Sequence, residues 1–271
     1  MLRKARVAGQ FYPGDPAELK ESLRDFMGRE KGPEKEKDTP VALIAPHAGY
    51  IYSGGVAGAV YAAIKVPDNV LLIGPNHTGL GERAAVMDEG QWETPLGITD
   101  INEELAEKVV ASCALFSTDP TAHLGEHSLE VQLPFIQELN PGARIVPLTV
   151  MPASIKSCEE MGEAIADVLK DYPEKVLIAV SSDMNHYEPD KITREKDKLA
   201  LDKVLKLDAE GLLNITGEND ITMCGVVPTA IAITAAKRLG AKEAELVKYA
   251  TSGETSGDYN HVVGYAGIVI K

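Results

Sequence analysis

The stretch "VALIAPHAGYIYSGG", residues 41–55, decides how the rest of the chain is read. Its first five residues are apolar without alternation, so both faces of the strand they predict must be covered. That is the pattern of a layered α/β sheet rather than of a half-solvated antiparallel one. Pro46 and His47 follow at once, and then a glycine-rich bend carrying Tyr50 and Tyr52. In open α/β sheets, ligands bind in the crevice beyond the carboxyl ends of the strands, where His47 stands.

Apolar segments recur at 69–74 (NVLLIG), 144–150 (RIVPLTV), 175–183 (KVLIAVSSD), 245–251 (ELVKYAT) and 262–270 (VVGYAGIVI). Helical patterns separate them, such as Met161, Ile165, Val168 and Leu169 at i, i+4, i+7 and i+8. A first helix is marked by Asp15 as its cap, Pro16 in its first turn, and Leu19, Leu23, Phe26 and Met27 on one face. The charged "KGPEKEKDTP" at 31–40 reads as a surface loop or linker. No repeat or break in composition divides the chain, so residues 1–271 are expected to form one domain. Its expected class is α/β, in three layers (α/β/α) around a central mixed sheet.

Twenty-seven basic against 41 acidic residues give a formal charge of −14, which argues against a nucleic-acid partner or an anionic membrane surface. No apolar run approaches the roughly 18 residues of a membrane span, and the N-terminal stretch has no apolar core of an export signal. Three distant cysteines, Cys113, Cys158 and Cys224, fit a reducing cytoplasm and no disulfide scaffold. Oligomeric state is not legible here.

Six histidines carry the chemical signal. His47 and His77 each follow a predicted strand, and His186 follows a third, with Asp183 three residues ahead of it. Their common position predicts convergence. His127, in "GEHSLEVQLPF", is expected to open a helix that Pro134 kinks, with Glu126 beside it. There a neutral, ligand-facing imidazole and a plain surface residue are equally good readings. His123 and His261 lack any comparable context and read as surface residues.

Two imidazoles from adjacent strand ends suit zinc, iron, copper or nickel, and need a third ligand. Cys224 precedes a helical segment, whose free N–H groups are expected to lower its thiol pKa from about 8.5 towards neutrality. Cys113 and Cys158 fall within helical patterns and read as packing residues. "SGGVAG" at 53–58 is a near miss to a dinucleotide fingerprint, because Ser53 stands where the first glycine belongs. Ser181 and Ser182 lie near Asp183 and His186, but no G-x-S-x-G elbow exposes a serine nucleophile. Asp183 and His186 instead read as an acid–base pair.

Together, "AGQFYPGDPAEL", "APHAGYIYSG", "GPNHTG", "GEHSLEVQLPF", "SSDMNHY", "CGVVPTAIA" and "TSGDYNHVVGYAG" resemble the Memo family, in order and over nearly the whole chain. Memo proteins are in turn similar in fold to the catalytic subunits of class III extradiol ring-cleaving dioxygenases. The resemblance implies metal ligands at His47, His77 and Cys224, with Asp183 and His186 beside the metal and His186 as acid–base. His127 joins them as a catalytic candidate, and Phe11, Tyr50 and Tyr52 are implied to line the substrate pocket. The implied cofactor is a mononuclear transition metal, iron first, with copper or zinc as alternatives because a thiolate replaces the dioxygenase carboxylate. The implied partners are a small-molecule or peptide ligand in that pocket, and radical-SAM and AMMECR-like proteins. Two functions follow from this: a non-haem oxidoreductase of dioxygenase type, or a binding module or adaptor that uses the same pocket without chemistry.

Overall fold

All six apolar segments form strands in the computed structural model, which describes residues 1–28 and 38–271. The chain begins with β1 (Leu2–Arg3), α1 (Pro16–Phe26), β2 (Ala42–Ala45), α2 (Tyr50–Ala62) and β3 (Asn69–Pro75). Short strands follow: β4 (Ala84–Val86), β5 (Gln91–Thr94) and β6 (Gly97–Asp100), then α3 (Glu103–Ser112), β7 (Ser117–Thr118) and α4 (Thr121–Leu124). A 3-10 turn at Glu130–Gln132 leads into α5 (Leu133–Leu139), β8 (Arg144–Val150), α6 (Ile155–Asp171), β9 (Val176–Ser181) and β10 (His186–Glu188). The chain closes with α7 (Asp190–Leu205), α8 (Ala209–Glu218), α9 (Val226–Arg238), β11 (Ala244–Thr251), α10 (Gly253–Ser256) and β12 (Val262–Ile270). Most of the charged stretch expected as a linker, residues 31–37, lies outside the described residues.

Among the described residues, nine strands form one mixed sheet in the order β10-β12-β2-β9-β3-β8-β4-β7, with β11 on the other edge of β12. Its centre, β2, β9, β3 and β8, is parallel. Every residue of β2 and β3 is buried, so both faces are covered and the sequence there has no polar alternation. Helix α2 packs on β2, β11 and β12, whereas α9 packs on β2, β3 and β9 and against α6. The architecture is three-layer α/β/α. A second sheet, β1-β5-β6, holds the N-terminus against the body.

Asp15 caps α1 through its Oδ1, which accepts from the Ala17 and Glu18 amides at 2.9 and 3.0 Å. The stretch expected as a glycine-rich bend is helical, as the body of α2. Its glycines serve packing: a Cβ on Gly54 would come within 2.6 Å of the Phe26 ring, and one on Gly58 within 2.5 Å of the Phe26 backbone. The near-fingerprint "SGGVAG" is thus a helix–helix contact rather than a phosphate loop.

Register then sets the site. Ala45 of β2 pairs with Ser181 of β9, so His47 and Asp183 both stand two residues beyond neighbouring strand ends. His77 leaves β3, on the other side of β9, at the same edge.

Candidate metal centre

His47, His77 and Cys224 meet: their ligand atoms all lie within 4.8 Å of one another. The His47 and His77 rings are 5.2 Å apart, and Cys224 Sγ lies 3.3 Å from His47 Nε2. Around a tetrahedral ion with bonds of about 2.0–2.3 Å, such donors would stand about 3.3–3.6 Å apart, so the sulfur and nitrogen are already spaced to share one. Cys224 reaches this position because Gly225 comes tight against the end of β9. A Cβ there would sit 2.3 Å from Ser182 Cβ, and the Gly225 amide donates to Ser182 Oγ at 3.1 Å. The thiol in turn accepts from the Asp183 amide at 3.2 Å.

Hydrogen bonds fix which nitrogen each imidazole offers. Ser181 spends its one hydroxyl hydrogen on the Ser128 carbonyl (2.6 Å) and accepts from Gln132 Nε2 (2.9 Å). His47 Nδ1, 2.8 Å from the same oxygen, must therefore donate, which leaves the Nε2 lone pair facing Cys224. His77 Nδ1 lies 2.9 Å from Glu126 Oε1, and that carboxylate likewise leaves Nε2 free. Such outer carboxylate and hydroxyl partners orient metal-ligating histidines. Glu126 is 1% exposed, and also accepts from the amides of His77, His127 and Ser128. Burial works to raise its carboxyl, but hydrogen bonding and charge from His77, with the amides, outweigh it and hold the pKa at about 2.

His47 is 2% exposed, and burial, then the charges of His77 and His127, keep its pKa well below the usual imidazole value. It is neutral near pH 7, as a ligand must be. Cys224 departs from expectation. Burial and the Asp183 carboxylate push its thiol up rather than down in the bare chain, because the surrounding protein desolvates it and the start of α9 does not compensate. A thiolate there needs a cation beside it.

Asp183, 5% exposed, accepts from the His47 amide at 2.8 Å and the Ala48 amide at 3.3 Å, and burial raises its pKa. His186 donates Nδ1–H to the Thr222 carbonyl at 2.8 Å, and its own amide donates to Thr222 Oγ1, so Nε2 is the nitrogen left for other partners. It lies within electrostatic reach of His47 and Asp183.

Several sequence expectations need correction. His127 opens no helix: α4 ends at Leu124, the 3-10 turn starts at Glu130 and α5 at Leu133, with Pro134 in its first turn, where a missing N–H costs nothing. His127 is held by Glu126 instead, stacks on His77 at 4.9 Å and 25°, and packs edge-on against Phe11. Tyr50 lines no open pocket. It is 3% exposed, donates its hydroxyl to the Val131 carbonyl, and packs on Tyr12 and Phe135, because the first turn of α2 faces inward there. Tyr52, on the outer side of that turn, is 42% exposed. His123 is fully buried rather than on the surface: its ring lies edge-on to Trp92, with Nε2 3.1 Å from the Ala85 carbonyl. Glu126, Ser181 and Thr222 escaped the sequence reading as functional residues. Only the adjacency of Glu126 to His127 hinted at any of them.

Fold and site together define an α/β protein with a candidate mononuclear histidine–cysteine metal centre at the carboxyl edge of its sheet. The chain belongs to the family described as Memo-like protein, whose model matches residues 3–269. It is 43% identical to a MEMO1 family protein of Methanopyrus kandleri, covering 100% of this chain and 99% of that one. It is 43% identical to a MEMO1 family protein of Aquifex aeolicus over 99% and 98% of the two chains. A crystal structure of an uncharacterized Escherichia coli K12 protein shares the fold, with a TM-score of 0.56 at 13% identity, covering 84% of this chain and 98% of that chain.

Proposed function

We propose that the protein binds one transition-metal ion through His47, His77 and Cys224, and acts as a dioxygenase-like oxidoreductase in which His186 moves the proton. The observation that carries this reading is that two hydrogen-bonded imidazoles and one sulfur bring ligand atoms within 4.8 Å of one another. A thiolate with two imidazoles suits iron, copper or zinc. When bound, the metal would supply Lewis acidity and a binding position for oxygen or a ligand oxygen.

The chain's own residues do the rest. Ser181 and Glu126 hold His47 and His77 in their donor tautomers. Asp183 anchors the backbone of His47 and Ala48, which keeps the turn after β2 closed on the site. The Thr222 carbonyl takes the Nδ1 hydrogen of His186, so Nε2 is the ring position that would accept a proton from an acidic O–H of a bound ligand. Phe11 offers apolar surface against His127, whose ring stacks on His77.

Elemental analysis of protein purified without chelators should find about one metal ion per chain, lost in His47→Ala. Anaerobic loading with Fe(II), followed by oxygen uptake with a panel of catechols and other phenols, tests turnover. His186→Ala should keep its metal and lose turnover; if no phenol supports uptake in the wild type, the oxidoreductase reading fails. The exposure of Tyr52, in the first turn of α2 a few residues after His47, favours a second reading, a binding module for an aromatic or peptide ligand. That reading predicts ligand affinity that survives His186→Ala and falls on Tyr52→Ala.

A further inference from the structure

We propose that Arg3 is a positioning residue for the metal centre, and that docking of the N-terminal segment 3–12 and metal binding stabilise each other. The inference rests on the metal-binding reading above and assigns a task to residues outside the ligand set.

Arg3 is 1% exposed, and its guanidinium grips one stretch of chain at three points. Nε donates to the His123 carbonyl at 2.8 Å, Nη2 to the Glu126 carbonyl at 2.6 Å, and Nη1 to Glu130 Oε2 at 2.7 Å. Its plane lies 4.1 Å over the Trp92 ring. The gripped stretch, 123–130, includes residues 125–129, which belong to no helix or strand, so its shape depends on outside partners. From that shape Glu126 sends its carboxylate to His77 and to the amides of His127 and Ser128.

The N-terminal segment is fastened to the same stretch from its other end. Buried Glu130 accepts from the Arg6 and Val7 amides at 2.9 Å and from the Tyr12 hydroxyl at 2.7 Å. Phe11 packs against His127, and its carbonyl takes the Tyr50 amide at 2.7 Å, where α2 begins after His47. Segment 3–12 thus braces both sides of the site while contributing no ligand to it. Removing the guanidinium would leave the His123 and Glu126 carbonyls buried without these donors and the Glu130 carboxylate buried without its counter-charge, and the stretch would have to rearrange. The Glu126 carboxylate would move off His77 with it. Coupling of this kind is reciprocal: whatever Arg3 gives the metal, the metal gives the docked segment.

Lysine keeps the charge but cannot fill three acceptors with a planar fork, so Arg3→Lys is the discriminating variant. Co(II) serves as the probe, since thiolate-to-cobalt absorption reports Cys224 directly. Arg3→Lys should bind Co(II) about 10–100-fold more weakly than wild type, the range for lost outer-shell partners. A purely structural role would lower the melting temperature of the metal-free protein and leave Co(II) affinity unchanged, and that result overturns the proposal. Hydrogen exchange on the wild type decides independently if Arg3→Lys does not fold. Adding Co(II) should slow exchange at the Arg6 and Val7 amides, forty residues from the nearest ligand. Slowing near the ligands with no change at Arg6 and Val7 overturns the coupling alone. Absence of the thiolate band in the wild type sinks the metal reading and the coupling with it.

Discussion

Ser181 has a single hydroxyl hydrogen and three neighbours that want it or its oxygen. Because the Ser128 carbonyl takes the hydrogen, the His47 ring has one tautomer open to it. Ser181→Ala removes that constraint, and metal affinity should fall about 10–100-fold by calorimetric titration while the fold persists. Asp197 poses a different residue-scale question. It is fully buried, accepts from Tyr249 Oη at 2.7 Å and from the Asn185 amide at 2.8 Å, and burial pushes its pKa up to about 6 from 3.8. A carboxyl raised in the folded state binds more protons there than when unfolded, so stability falls as pH rises from about 4 to about 6. At 1.36 kcal/mol per pH unit the rise corresponds to about 3 kcal/mol. Urea denaturation at pH 4 and pH 7 should show Asp197→Asn gaining on wild type by about that amount. An unchanged difference would show that Asp197 does not titrate as described.

At the scale of elements, α1 and α2 show two kinds of legibility. Helix α1 is written locally: a capping Asp15, Pro16 after it, and Leu19 and Leu23 on the buried face. Helix α2 is not, because its glycines point a sequence reader to a bend. What makes them necessary is Phe26 of another helix, a neighbour that no local pattern names. Gly58→Ala should therefore destabilise the protein by about 1–3 kcal/mol, despite the better helix propensity of alanine, because Phe26 backbone must move aside. Chemical denaturation measures this; a gain in stability would mean that the contact yields freely. Likewise His127 could not be read, since its neighbour Glu126 is placed by His77 and by Arg3 gripping the stretch, and both of those contacts are long-range.

For the whole molecule, the decisive fact is that β2, β9 and β3 are adjacent and parallel, which carries His47, Asp183 and His77 to one edge. A ligand bound there spans elements from both halves of the chain, with Cys224 arriving ahead of α9. Zinc at about 100 times its dissociation constant should thus raise the melting temperature by ~5–10 °C, equivalent to about 2.7 kcal/mol. His47→Ala should lose the increment, and a wild-type melt indifferent to zinc would count against the shared site. Strand identity, helix α1 and the residues that could bind metal were determined by the sequence alone, because strand apolarity, caps and ligand chemistry are properties of neighbouring residues. Tertiary structure alone decided the tautomers of His47 and His77, the burial of Tyr50 and His123, the upward pull on the Cys224 thiol, and the brace from Arg3. Each of these depends on which atoms from distant parts of the chain exclude water from, or share hydrogen bonds with, the group concerned, and that information exists only once the chain has closed on itself.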